Sequence, residues 1–358
     1  NDSNPGTKTK PFKTLTRARN IIRNMKKEQS LPEGGVTVYL RKGTYSISDS
    51  FKLEKQDSGK KDAQITYKAY DSENVRLSGG VDLNPSNFAQ VQDVDIIERL
   101  PESARKKVVQ INLKKMGINN YGEIVLIGMS SKMKPIEPRL YYNDKTMTIA
   151  RWPNEGYLRT GKVIDHGSIR SHSKKRAIFK YDKERPEDWN FNRDIWMYGF
   201  WRRDWADQRL KVKNINVDEN IIKTVNSNFR GVFEDTRYYY FNVLEELDKP
   251  GEWYLDRKTG ILYFYPPDSL TSEDKLELSL TEEPIITMNQ VSNVILKGLK
   301  IELSRFHGIE INGGSNNKIK KCWFENVGGD AVSISGGRNF HISNCEINQV
   351  GGGGILSD

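Results

Sequence analysis

Ile295–Ile301 reads ILKGLKI, Lys318–Phe324 reads KIKKCWF and His341–Ile347 reads HISNCEI. Written beneath one another, the three segments repeat with a period of 23 residues. The columns agree one after another: Leu296, Ile319 and Ile342; Leu299, Cys322 and Cys345; Ile301, Phe324 and Ile347; and, later in each unit, Ile309, Val332 and Ile355. Polar residues alternate with these apolar ones, and Gly313-Gly314 and Gly336-Gly337 mark corners. Short alternating strands in units of this length predict a parallel β-helix with one unit per coil, since helical solenoids need longer units. Coils stack at the inter-strand spacing of about 4.8 Å, so residues one period apart lie above one another and their apolar side chains form internal ladders. One coil cannot bury its own inner face, so several coils and a cover over the open end are expected.

Working outward, Phe12, Leu15, Ala18, Ile22 and Met25 recur every three or four positions, the stripe of one amphipathic helix within Pro11–Lys27. That helix is expected to cap the N-terminal end and shield open strand edges. Short strands are predicted at Val36–Leu40, Phe51–Leu53, Ile65–Ala69 and Val75–Leu77, and no further helix is expected. Between about 81 and 273 the segments lengthen and most of the tryptophans appear, which reads as a β-rich insertion. Its clearest strands are Arg139–Tyr142, Lys145–Ala150, Arg237–Phe241 and a hairpin of Trp253–Leu255 with Ile261–Phe264. The organisation read from the chain is therefore all-β: residues 1–80 with the cap and first strands, an inserted domain at 81–273, and parallel β-helix coils at 274–358.

Composition narrows the function classes. With 358 residues, a net charge of +9, 29% charged and 36% hydrophobic residues, the chain is neither disordered nor membrane-embedded. Its longest apolar run, Ile124–Met129, is far below the roughly eighteen residues a membrane span needs. Two cysteines cannot form a disulfide scaffold, and no CxxC, HExxH or Cys/His cluster suggests a metal centre. Basic residues are scattered in pairs such as Lys26/Lys27 and Lys174/Lys175, without the stripe or module of a nucleic-acid binder. No leader precedes the first residues, so either a cytosolic chain or one whose signal peptide is removed fits.

The stacking turns spacing into candidate chemistry. Asp330 falls over His307, with Gly353 beyond it, which makes Asp330 a candidate acid or base or sugar ligand with His307 beside it. The competing reading is a corner in which Asp330 accepts turn amide hydrogens. Glu302 stacks on Glu325, a spacing that suits a retaining glycosidase pair if both face a groove, and otherwise describes solvated turn glutamates. Lys297 over Lys320 juxtaposes like charges, compatible with an anionic ligand. In the insertion, Trp201, Asp204 and Trp205 of WRRDWAD, together with Arg151 and Trp152, combine aromatic faces with charged groups as carbohydrate sites do. The same tryptophans would equally serve as packing.

These residues carry a likeness. NDSNPGTKTKPFKTLTRARNIIR, GGVTVYLRKGTYSISDSFKL, ITYKAY and VRLSGG resemble the N-terminal region of large bacterial right-handed parallel β-helix proteins related to glycoside hydrolase family 141. ARWPNEGY (Ala150–Tyr157), GFWRRDWADQ (Gly199–Gln208), NVLEELDKPGEWYLDRKTGILYFYPP (Asn242–Pro267) and GGDAVSI (Gly328–Ile334) resemble the same group. The resemblance implies a secreted or periplasmic enzyme acting on plant or algal polysaccharide. Such proteins usually begin with a strand reading like YVSPNG, absent here, and continue for several more coils. It therefore places the catalytic carboxylates in later coils, assigns none to a position in this sequence, and leaves Asp330 a candidate for substrate contact.

The leading expectation is a glycoside hydrolase cleaving by two carboxylates, with Trp201–Asp207 forming a groove wall and no cofactor required. Two alternatives remain open. One is a polysaccharide lyase on a uronate-containing glycan, using Ca²⁺ and a basic residue; the other is a non-catalytic glycan-binding repeat protein.

Overall fold

Inward and outward residues alternate along fifteen short strands, which wind into five coils and line up as three parallel five-stranded sheets. The computed structural model describes residues 1–128, 133–168, 175–181, 185–189, 194–226, 228 and 230–358. Met129 and Lys174, quoted above, lie outside them. The chain divides into two compact units, one of residues 1–82, 135–139 and 277–358 and the other of 83–134 and 140–276.

The first unit is a parallel β-helix. Its first sheet holds Val36–Leu40, Ile65–Ala69, Val294–Lys297, Lys318–Lys320 and His341–Ser343. The second holds Gly43–Ser46, Val75–Ser78, Lys300–Glu302, Trp323–Val327 and Glu346–Val350. The third holds Phe51–Glu54, Ile286–Asn289, Ile309–Asn312, Val332–Ser335 and Ile355–Ser357. The pairing register carries the 23-residue columns: Leu296, Ile319 and Ile342 are partners, as are Ile301, Phe324 and Ile347, and Ile309, Val332 and Ile355. Those ladders continue back through Tyr67 and Leu77 into coils whose sequence spacing is irregular. The third strand of the second coil, Ile286–Asn289, comes after the whole second unit, and pairs with Phe51–Glu54 on one side and Ile309–Asn312 on the other.

Corners repeat as faithfully as strands. Asn293, Asn316 and Asn339 all hold φ near +58°, a left-handed conformation that asparagine tolerates better than most residues. The thiols of Cys322 and Cys345 are both free, and they point at the carbonyls of Leu296 and Ile319 at 3.8 and 3.7 Å, a repeated small ladder without redox pairing.

The cap is helix α1, Leu15–Glu28, whose N-terminus is closed by the Thr14 hydroxyl accepting from the Arg17 amide. Asp2 fixes the entry by accepting from the amides of Lys13 and Thr14. Leu15 and Ile22 join the same apolar cluster as Leu40, Phe51 and Ile65.

In the second unit, Trp253 and Leu255 lie in an antiparallel hairpin of Glu252–Asp256 and Ile261–Tyr265, which belongs to a five-stranded sheet. A larger eight-stranded sheet centres on Trp196–Gly199, Gln208–Asn216 and Arg237–Phe241. One expectation fails: a second helix, α2 at Val94–Arg99, forms where none was predicted. It is too short to show a periodic stripe, and only Ile96 is fully buried; its signal was the Asp93 side chain accepting from the Asp95 and Ile96 amides.

Candidate functional site

Strand alternation decides which side chains of the second sheet reach the surface. Leu77, Ile301 and Phe324 point inward and are fully buried, so their neighbours point out. Two outward columns result: Arg76, Lys300, Trp323 and Glu346, and beside it Ser78, Glu302, Glu325 and Asn348. Where these columns meet the turn from the first sheet, a cleft of about 570 Å³ opens, lined among others by Lys68, Lys297, Lys300, Lys321, Trp323, Glu325, Glu346 and Asn348. Trp323 is 45% exposed, so its indole face is available. Sequence reading missed it, although Phe324 on the inner ladder already forces Trp323 outward.

Beneath the cleft runs a chain of ion pairs. Arg76 binds Glu277 at 2.6 Å through one nitrogen and Glu302 through another, and Lys300 bridges Glu302 at 3.0 Å and Glu325 at 2.6 Å. Burial, the largest influence on Arg76, pulls its pKa down, yet hydrogen bonds and charge from Glu277 and Glu302 hold it above its ordinary value. Lys300 behaves alike: burial lowers it, and Glu325 and Glu302 more than compensate. Both cations therefore stay charged at neutral pH. This corrects the reading of Glu302 and Glu325 as solvated turn glutamates. Glu302 closes the strand Lys300–Glu302 and Glu325 sits in the middle of Trp323–Val327, and Glu302 is only 2% exposed because Arg76 and Lys300 occupy its oxygens. The two carboxylates share one ammonium group, an arrangement for shaping a surface rather than for delivering a proton and a nucleophile.

Asp330 and His307 are brought together as the spacing required, but inside a corner. The Asp330 amide donates to His307 Nδ1 at 3.1 Å, the Gly353 amide donates to Asp330 Oδ1 at 2.6 Å, and both side chains are buried. Asp330 is thus a turn acceptor, shut away from a surface ligand, and His307 likewise. With Nδ1 accepting a hydrogen, the imidazole proton sits on Nε2 and the ring is neutral; burial lowers its pKa, against the opposing charge of Asp330. A histidine disfavoured as a cation in the fold stabilises it above the ordinary range near 6.5 and loses that contribution as the pH falls. The urea midpoint of the wild type is expected to drop between pH 7.5 and 5, with His307→Gln showing a flatter profile.

In the second unit the candidates scatter. Trp201 is fully buried, stacked on Tyr238 with centroids 5.7 Å apart and donating to the Gln208 carbonyl at 2.7 Å. It belongs to the core and cannot form a groove wall, because just past the strand Trp196–Gly199 the chain bends and packs its ring against Phe179 and Tyr238. Trp205 is 58% exposed, with the Arg230 guanidinium 5.7 Å from its ring. Asp204 pairs with Arg237 at 3.1 Å, and Arg237 lies over Phe200. Arg151 lies 3.6 Å from the centre of the Tyr239 ring and holds the carbonyls of Pro153 and Gly156. Trp152, half-buried, lines a separate small pocket with Tyr181 and Tyr240. Among the described residues no cluster of three or more His, Cys, Asp or Glu groups is placed to hold a metal ion, and no helix is long and apolar enough to cross a membrane.

Comparison with known proteins bears on the fold. "Uncharacterized protein YwoF" of Bacillus subtilis (strain 168) is 37% identical over 78 residues, which are 22% of this chain and 14% of that protein. A solved structure named "Glycoside hydrolase" superposes with a TM-score of 0.72 at 15% identity, over 96% of this chain and 64% of its own. Another, "The complex structure of XylC with xylose", gives a TM-score of 0.41 at 13% identity over 97% and 52%. The chain spans less than two thirds of the length of each. Residues 281–358 match the family model described as a right handed beta helix region, and the five coils are those of a right-handed parallel β-helix.

Proposed function

We propose that this is a carbohydrate-active protein that seats a glycan in the Trp323 cleft, and that the activity it serves is glycoside hydrolysis of a plant or algal polysaccharide. The observation that carries the reading is the cleft's composition. A half-exposed indole offers a flat apolar face to sugar C–H groups, and Lys300, Glu325, Glu346 and Asn348 stand around it as hydrogen-bonding partners for hydroxyls. The motif resemblance and the shared β-helix fold support the same reading. Its substrate, a polymer too large to enter a cell, goes with a secreted or periplasmic site of action.

A uronate lyase is the second reading, favoured by one feature: Lys297 and Lys321 line the cleft without a carboxylate partner among the described residues. Following reducing ends and ultraviolet absorbance together, with the full natural protein and a panel of fucosylated, xylan and uronate-containing glycans, separates the two. Hydrolysis raises reducing ends alone, lysis raises both, and binding without either signal identifies a non-catalytic glycan binder.

Trp323→Ala is expected to weaken glycan binding roughly tenfold to a hundredfold, the worth of burying one large aromatic face, without lowering thermal stability. Isothermal titration checks this. Unchanged affinity and turnover would remove the cleft from the reading.

A further inference from the structure

The second unit contains a pocket, open on one side, that the Trp323 cleft does not explain. It has a volume of about 230 Å³ and is walled by Trp152, Tyr238 and Tyr240, with Tyr157 and Arg159 at its exposed rim. Trp152 stacks on Tyr240, centroids 6.1 Å apart and planes 23° from parallel. Polar atoms gather in the same wall. The hydroxyls of Tyr238 and Tyr240 lie 3.3 Å apart, one donating to the other. The Tyr181 hydroxyl, on a residue only 3% exposed, is buried with no hydrogen-bond partner among the described residues. An orphaned buried hydroxyl costs about 1–3 kcal/mol, and a ligand that paired with it would recover that cost. Burial keeps the phenols of Tyr240 and Tyr181 protonated, above their ordinary range, so both remain able to donate.

We infer that this pocket is a second glycan site, taking one neutral sugar ring, with Trp152 supplying the apolar face and Tyr181 a hydroxyl contact. The volume lies below the roughly 300–1,000 Å³ of pockets for larger ligands, which limits the occupant to a single ring. Among the described residues no carboxylate lines the pocket, and the only charged one that does, Arg159, is exposed and held by the Asp235 carbonyl at 2.7 Å. Aromatic walls with neutral hydroxyls suit an uncharged polyol ring, since burying a charge here would go uncompensated. The inference stands whether or not the Trp323 cleft is the catalytic one.

The test is a tryptophan-fluorescence and ligand-observed NMR titration of the full chain with D-glucose, D-galactose, D-xylose, L-fucose and D-glucuronate. At least one neutral sugar is expected to bind, glucuronate is not, and Trp323→Ala is expected to leave this binding intact. Tyr181→Phe is expected to weaken it about tenfold, the value of one hydroxyl contact, while thermal stability holds or rises because the orphan hydroxyl is gone. A purely structural tyrosine would show the stability change without the binding change, and that result overturns the proposal. Absence of saturation by every neutral sugar, or glucuronate binding as well as they do, overturns it too.

Discussion

Replacing Arg76 with alanine is expected to lower the unfolding free energy by about 3–5 kcal/mol, the cost of breaking a buried ion pair by removing one partner. The guanidinium separates Glu277 and Glu302, whose side chains are only 5% and 3% exposed. Without it, two carboxylates remain in a poorly hydrated place, with Lys300 alone near Glu302. Arg76→Lys keeps the charge but loses the fork that reaches both acids, so an intermediate loss is expected. Urea unfolding at low and high salt measures the effect. Because the pairs are shielded from solvent, the loss should persist in salt. A change below about 1 kcal/mol, the range of exposed pairs, would show that the network contributes no more than a surface contact does.

Gly314→Ala is expected to be similarly severe. Gly314 holds φ at +84°, and a Cβ there would lie 1.8 Å from the Val291 carbonyl oxygen, a backbone atom that cannot swing away. The left-handed conformation alone costs an alanine about 1–2 kcal/mol; the collision requires the coil corner itself to move. Gly336 is the internal control. It also has positive φ, +64°, yet nothing stands within 4 Å of a Cβ, so Gly336→Ala should lose only about 1 kcal/mol. Unfolding midpoints of the two variants, compared side by side, decide the point, and equal losses would show that close backbone approach between stacked coils is unimportant.

Period was what made the β-helix readable. Wherever coils recur at 23 residues, inward columns and corners both follow from arithmetic, and the register between Lys300, Trp323 and Glu346 follows equally. Where the spacing changes, as between Val36 and Ile65 or Gly43 and Val75, strands were visible one at a time but their stacking was not. The Arg76 network spans such breaks, joining residues of four separate strands, which no local pattern can reveal. Trp201 was misplaced and Trp323 overlooked for a different reason. A cluster such as WRRDW attracts notice by composition, whereas exposure is set by packing and by parity within a strand: Trp201 folds back onto Tyr238 beyond its strand's end, and Trp323 has the opposite parity to buried Phe324. Asp330 was correctly stacked on His307, but burial of that corner depends on packing that spacing does not encode.

The placement of Ile286–Asn289 between Phe51–Glu54 and Ile309–Asn312 has a consequence for biosynthesis. Phe51 finds its partner, Ile286, 235 positions later. At about 5–20 residues per second, that neighbour leaves the ribosome on the order of 10–50 s after Phe51 does. During that interval Phe51 and Leu53, both buried in the finished coil, lie on an unpaired strand edge of the kind that invites aggregation. The later coils close within one period, so they are able to nucleate quickly, and the N-terminal coils wait to be stacked onto them. Yield in cells should therefore depend more on how long the early strands are kept apart from other chains than on the final stability of the coils.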